Sequence, residues 1–542
     1  MSLIPALALL LLLLAGGGVR GALAQAGHHA DSALGTVELT VSCSAAAQTE
    51  FNRAVALLHH MTYPRARESF ERVATLDPRC AMAHWGIAMT LFQPLWPTRP
   101  GPADLRRGWE AVQRARSLQP RTQRERLFVD AAAAFFEPDS LDYWQRIGRW
   151  EQAMQRAHAA LPQDPEVMAF YALAHLATTP ADRVSRAHAD RAASLLLQIY
   201  ERNPDHPGAM HYLVHANDVP GREHESLTIV DAYGEAAPRN PHALHMPTHI
   251  YTRLGNWDGV IRGNLDAADA ALAHPAGDQG QFVWDEFPHA IEYVVYAYLQ
   301  MGKDDSALAQ LQRLTSTTRL EPSFKTAFHL ASTRARYSLE RRAWGDAMSL
   351  PVRDPSSLDW DRFKWPEAIT WFARGLSAAH EGRLEGAQSA RARVAELETA
   401  AARAGEQLFA RNIRVLLLEV DAWLAHARGD AQASASLMRE AAELEVSTPK
   451  HAVTPGPTLP AHELLGDLLL EQGRTQQALV AFKRSLELYP RRFNSLLGAA
   501  RAARSAGDEA QARAYYQQLL EVAGEGTRQP ALDEARTFTT RD

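Results

Sequence analysis

The sequence predicts an all-α chain, a right-handed α-solenoid of about a dozen helix–turn–helix repeats, on three observations. Alanine, leucine and arginine dominate and β-branched runs are few, so helix is favoured almost throughout. Turn dipeptides recur between helix-periodic segments, at Leu254-Gly255, Met301-Gly302, Glu381-Gly382 and Arg428-Gly429. Two histidine pairs of i, i+4 spacing, His211/His215 and His245/His249, stand 34 residues apart, a period found in stacked helical hairpins.

Each part follows from local signals. The chain has 542 residues, 46% hydrophobic and of net charge −6, enough for several domains or one long array. So small a charge gives no electrostatic reason to expect nucleic acid or an anionic membrane as partner. Residues 4–14 are a short apolar run closed by Gly16–Gly18, and Ala22-Leu23-Ala24 is a small-residue cleavage site. Residues 1–24 are therefore expected as a secretory signal peptide, too short to span a bilayer, and the mature chain has no membrane-spanning stretch. Residues 25–46 form an N-terminal extension with a strand-like segment, Thr36–Val41. The two cysteines, Cys43 and Cys80, flank the first hairpin, and in an exported chain such a pair suggests a disulfide.

The first hairpin covers 51–78, with Tyr63, Ala66, Phe70 and a closing Asp77-Pro78. Further hairpins are expected near 81–119, 122–160, 166–202, 207–238, 241–273, 288–316, 328–349, 368–402 and 415–445. These divide into an N-terminal array, 47–349, carrying the His-rich face, and middle hairpins, 350–445. The stretch 446–458 holds Pro449, Pro455, Gly456 and Pro457 and reads as a linker and domain boundary. A last pair of repeats occupies 459–524, and 525–542 is expected to be a disordered polar tail.

The last pair is patterned most clearly. Leu465-Gly466, Gln472-Gly473-Arg474, Ala478, Phe482 and Pro490 recur as Gly507, Ala512 and Tyr516 in the next unit. Small residues let two helices cross closely, an aromatic fills the gap, and proline ends the second helix. These segments and 51–78 resemble the tetratricopeptide repeat family. Cys80-Ala-Met-Ala-His-Trp-Gly-Ile-Ala-Met89, Pro94-Leu-Trp96 and His242-Ala-Leu-His-Met-Pro-Thr-His-Ile-Tyr-Thr-Arg-Leu-Gly255 look like an exported bacterial subgroup of it. The resemblance implies the fold, export and a concave groove for a peptide or partner protein; it supplies no chemistry.

Phasing each first helix from its turn glycine sets its concave face. That face carries His211, His215 and Asp218, then His242, His245, His249 and Thr252, then His289, Glu292, Tyr296 and Leu299, then His329, Ser332 and Arg336. Helix axes about 8–10 Å apart let imidazoles on adjacent repeats reach one ion. His211, His215, His245, His249, His289 and Glu292 are thus candidate ligands for zinc or copper. Pro247 between His245 and His249 should kink that helix. The plainer reading makes these histidines polar lining of a peptide groove, with Asp218, His242 and Tyr296 beside them. Asp218, Asp285, Glu286 and Glu292 could serve as bases toward a metal-bound water, but no nucleophile, phosphate-loop or H-E-x-x-H motif accompanies them, so catalysis stays open.

Other features read as packing or solvated surface. Met82, Trp85, Met89 and Phe92 suggest core or an apolar peptide groove. His59-His60 are expected at a helix end facing solvent or the turn, and Glu463 with Asp467 on a charged solvated face. The first expectation is an exported scaffold for a peptide or protein partner; the alternative is a metal-binding protein or metal-dependent hydrolase.

Overall fold

The computed structural model of the chain describes residues 33–540 apart from 97 and 278. The expected signal peptide and the first residues of the extension lie outside the described residues. Thr36–Val41 is extended but joins no sheet; the Thr36 N–H donates to the Asp205 carbonyl at 2.8 Å. Cys43 and Cys80 form a disulfide that fastens this leader to the second hairpin.

Twelve helical hairpins follow in the described residues. The first five are Ala45–His59 with Tyr63–Leu76, Ala81–Met89 with Pro102–Ser117, Gln123–Phe136 with Tyr143–Ala160, Pro165–Ala177 with Arg186–Tyr200, and Pro207–Asn217 with Leu227–Ala236. The sixth pairs a first helix broken into Pro241–His245 and Pro247–Leu254 with Trp257–Leu272. The break falls at Pro247, as its missing N–H requires. Next come Glu286–Gln300 with Asp304–Ser316, Phe324–Glu340 with Trp344–Met348, Lys364–His380 with Leu384–Arg403, and Gln407–Ala427 with Ala431–Ser447. The last two are Ala461–Glu471 with Thr475–Leu488 and Phe493–Ser505 with Glu509–Ala523. Among the described residues the one sheet is a two-residue ribbon, Pro275–Ala276 against Phe282–Val283. Local chemistry sets the hairpins: Thr122 and Asp142 open helices with capping boxes, and Gly255, at φ 64°, closes one in the left-handed region.

The two helices of a hairpin differ in burial. Glu286–Gln300 buries nearly every side chain, whereas Asp304–Ser316 buries only Ala307 and Leu314. The first helices are enclosed because other parts of the chain cover their inner side. The stretch expected as a linker runs across that side: Arg336 donates to the carbonyls of Gly456 and Pro457 at 2.5 and 2.6 Å, and Lys450 donates to Asp218 at 2.5 Å. The last repeats dock on the middle of the array, where the Trp257 indole donates to the Arg491 carbonyl at 3.0 Å. Residues 446–458 are thus a packed strap rather than a free joint. The expected disordered tail is corrected too: Pro530–Thr539 is a helix that buries Leu532 and Ala535.

Candidate functional site

The inner face of the fifth to eighth hairpins holds a buried histidine cluster. His211, His242, His245, His249, His289 and His329 are all at most 2% exposed, and His215 is half-buried. These side chains gather at one place, but the face they share is not an open groove. Trp96 covers it from one side, its ring 5.1 Å from that of His242 and 6.2 Å from that of His289, with the Lys325 ammonium 3.6 Å above the indole. The strap residues His451, Ala452 and Val453 cover it from the other.

Two trios of imidazoles emerge. In the first, His211 Nε2 lies 3.2 Å from His215 Nε2 and 3.0 Å from His242 Nε2. In the second, His245 Nε2 lies 2.9 Å from His249 Nε2, and His289 joins them, its ring 4.2 Å from that of His245. Within each trio the candidate donor atoms all fall inside 4.8 Å of one another. The break at Pro247 leaves His245 and His249 facing each other.

Behind the trios sit hydrogen-bond acceptors. His211 Nδ1–H donates to the His59 carbonyl at 2.5 Å, and His242 Nδ1–H to Glu286 at 3.4 Å. His245 Nδ1–H donates to the Asn264 amide oxygen at 2.6 Å; that amide is oriented by its own NH2 group, which donates to the Val260 carbonyl at 2.8 Å. His249 Nδ1–H donates to Asp218 at 2.9 Å. His289 Nδ1–H donates to His329 Nε2 at 2.9 Å, and His329 Nδ1–H donates in turn to Glu292. Glu292, expected as a ligand, instead anchors this relay together with Ser332 and Arg336.

Burial controls the charges. It holds His211, His215, His245 and His289 well below the usual imidazole range, and neighbouring imidazoles push the same way. Burial, then the Lys450 ammonium, lowers His249 to about 4. For Asp218 burial pushes upward, but Lys450 and Arg253 outweigh it and keep the carboxyl well below the ordinary carboxylate range. The Tyr293 hydroxyl is buried without a hydrogen-bond partner among the described residues, and its ring packs against His245, His249 and His289 at 4.8, 5.4 and 5.4 Å.

A second histidine cluster is built differently. His59 Nε2–H donates to Glu166 at 2.8 Å and His206 Nε2–H to the same carboxylate at 3.2 Å. The other nitrogens meet the Tyr212 hydroxyl and the Ala209 N–H, so every ring nitrogen is satisfied. His60 bonds Tyr233 and the Leu34 carbonyl. The pair expected to reach solvent is thus fully buried, where it pins the first hairpin to the fifth.

Other expectations are corrected. Trp85 and Met89 are core rather than groove: Trp85 is 1% exposed and packs on Phe51, Phe70, Phe128 and Phe170. Their short helix is apolar on nearly every side, so no face is left for a ligand. Tyr296 is also enclosed, its hydroxyl accepting from Arg492 at 2.9 Å. Glu463 is fully buried and paired with Arg492 rather than solvated. Asn264, Trp96, Lys450 and His451 were missed. Asn264 lies on a second helix, outside the phased stripe, and the strap residues are brought in from two hundred positions away.

A cleft of about 750 Å³ opens beside the first trio. His215, Asp218, Lys450 and His451 line it together with Trp96, Trp144, Ile147, Leu176 and Val184. A much smaller hole of about 10 Å³ lies among His215, His242, His249 and His289. That is near the space one water needs.

The tetratricopeptide repeat family matches residues 459–492 and 494–523. No curated protein matches the chain. Among solved structures, the Cut9-Hcn1 hetero-tetramer of the APC/C is similar at 14% identity and TM-score 0.29, over 91% of this chain and 90% of that one. The human IFIT1 dimer with PPP-AAAA is similar at 13% identity and TM-score 0.39, over 87% and 90%. Likeness at this level says nothing about ligands. Residues 459–523 are two tetratricopeptide repeats, and ten further helical hairpins precede them in the described residues.

Proposed function

We propose that the chain is an exported scaffold that receives an extended segment of a partner protein in the cleft beside the fourth and fifth hairpins. Tetratricopeptide repeats suggest an interaction scaffold, and the cleft is the observation that carries the reading. Trp96, Trp144, Ile147, Leu176 and Val184 offer apolar walls for a partner's side chains, while Asp142, Arg99 and His188 offer polar groups for its backbone. Trp144 is 41% exposed, unusual for so large an aromatic side chain. The histidine-lined face itself is covered except at its edge, where His215 and Asp218 border this cleft. Two observations support export: the apolar run and small-residue site in 1–24, and the Cys43–Cys80 disulfide, a bond that persists in oxidising compartments.

Photo-crosslinking in the oxidising compartment tests the binding reading. A benzophenone at position 144 should capture a protein partner, and Leu176→Glu should abolish that capture. Equal capture from position 480, an exposed site on the eleventh hairpin that does not line the cleft, would sink the proposal.

A further inference from the structure

We propose that the two imidazole trios, His211/His215/His242 and His245/His249/His289, each hold a nitrogen-preferring first-row transition-metal ion, zinc or copper. This stands apart from the partner reading.

The argument is one of lone pairs. A neutral imidazole has one N–H and one bare nitrogen. His245 commits its Nδ1–H to the Asn264 oxygen and His249 commits its own to Asp218. The Lys450 ammonium is farther from His249 Nδ1, at 3.4 Å, and is engaged by Asp218. Both Nε2 atoms therefore present lone pairs, and they face each other at 2.9 Å. His289 presents its Nε2 for the same reason, since its Nδ1–H donates to His329, whose own proton is taken by Glu292. In the first trio His211 and His242 spend their Nδ1–H groups on the His59 carbonyl and Glu286, and their Nε2 atoms meet at 3.0 Å. Opposed lone pairs repel unless a cation stands between them. A tetrahedral zinc ion with nitrogens at 2.0–2.1 Å sets them about 3.3 Å apart, so small rotations of these rings suffice.

Two further observations point the same way. Metal-ligating histidines characteristically donate their second N–H to a carboxylate or carbonyl, and four of the six rings here do so, with His289 one step removed. The 10 Å³ hole lies between the trios, bordered by His215 and His242 of the first and His249 and His289 of the second, and the unpartnered Tyr293 hydroxyl belongs to a ring packed on the second trio. The His59/Glu166/His206 cluster is the internal control: its N–H groups point inward at the carboxylate and leave no lone pair for an ion. Three protein ligands leave a coordination position for water or a small ligand. His215 and Asp218 border the 750 Å³ cleft, which gives that position a route to solvent.

The test uses the full mature chain, produced without a His tag, stripped with chelator and titrated separately with Zn²⁺ and Cu²⁺. Metal analysis and calorimetry should find two ions per chain. His211→Gln should remove one and His245→Gln the other, with circular dichroism confirming that both variants fold. Asp218→Asn, which removes no ligand, should weaken the second ion 10–100-fold. His206→Gln should leave both ions bound. Less than a tenth of an ion per chain, or binding unchanged in the His211→Gln/His245→Gln variant, overturns the proposal. So would nitrogen NMR of the chelator-stripped chain showing a doubly protonated ring in each trio that Zn²⁺ fails to displace.

Discussion

Glu419 and Glu445 face a separate cavity of about 100 Å³ and show how strongly burial acts on a carboxyl group, with Glu445 pushing Glu419 the same way. Neither carboxyl oxygen of Glu419 has a hydrogen-bond partner among the described residues, and burial raises it well above the usual range. Burial lifts Glu445 to about 8, although it accepts from the Ala461 N–H at 3.1 Å and the Tyr489 hydroxyl at 3.3 Å. Both acids stay protonated in the folded chain at pH values where the unfolded chain has released their protons. Stability must therefore fall as pH rises from the ordinary carboxylate range, about 4.5, towards 8, by up to about 1.4 kcal/mol per pH unit for each group. Urea denaturation at several pH values should show that slope, and Glu419→Gln with Glu445→Gln should flatten it. An unaltered slope in the double variant would refute the assignment. Nothing in the sequence marked these two glutamates, because their neighbours come from three different hairpins.

At the scale of elements, the final repeats show how much a hairpin sequence reveals. Gly466, Ala478 and Phe482 imply a close crossing filled by an aromatic ring, and the packing is of that kind. A Cβ on Gly466 would stand 2.6 Å from a Phe482 ring carbon, and one on Gly498 2.3 Å. Phe482→Ala should cost about 3–5 kcal/mol, measured by thermal or chemical unfolding, and Gly466→Ala should also destabilise because the fully buried ring has nowhere to move. A loss below about 1 kcal/mol for Phe482→Ala would mean that the ring does not hold the crossing. Patterns of this kind are local, so hairpin order, the Pro247 break, the Cys43–Cys80 pairing and the histidine phase were all legible. What was not legible was contact between distant elements. Pro449–Pro457 carries every mark of a loop, and only the Arg336 and Lys450 contacts show that it is buried. The covered state of the histidine face was missed for that reason.

At the scale of the molecule, the terminal repeats and the array are held as one body by a buried ion network. Arg492 is fully buried and donates to Glu340 at 2.8 and 2.9 Å, to Glu463 at 2.9 Å and to the Tyr296 hydroxyl at 2.9 Å. Arg342 reaches the same Glu463 and adds Asp467, while Gln529 donates to the Gly302 carbonyl at 2.8 Å. Replacing Arg492 with methionine keeps much of the side-chain volume but leaves buried Glu340 without its counter-ion and Glu463 with Arg342 alone, a change that typically costs about 3–5 kcal/mol. The strap lies between these repeats and the histidine face, so loosening should spread along it. Hydrogen exchange in Arg492→Met should therefore accelerate together in 449–458 and 493–523, with new protease cleavage inside the strap. The hairpins from 123 to 200 make none of these contacts and should keep their protection. If exchange rises only within 493–523, the strap is held by Arg336 and Lys450 alone, and the terminal repeats are a separable unit after all.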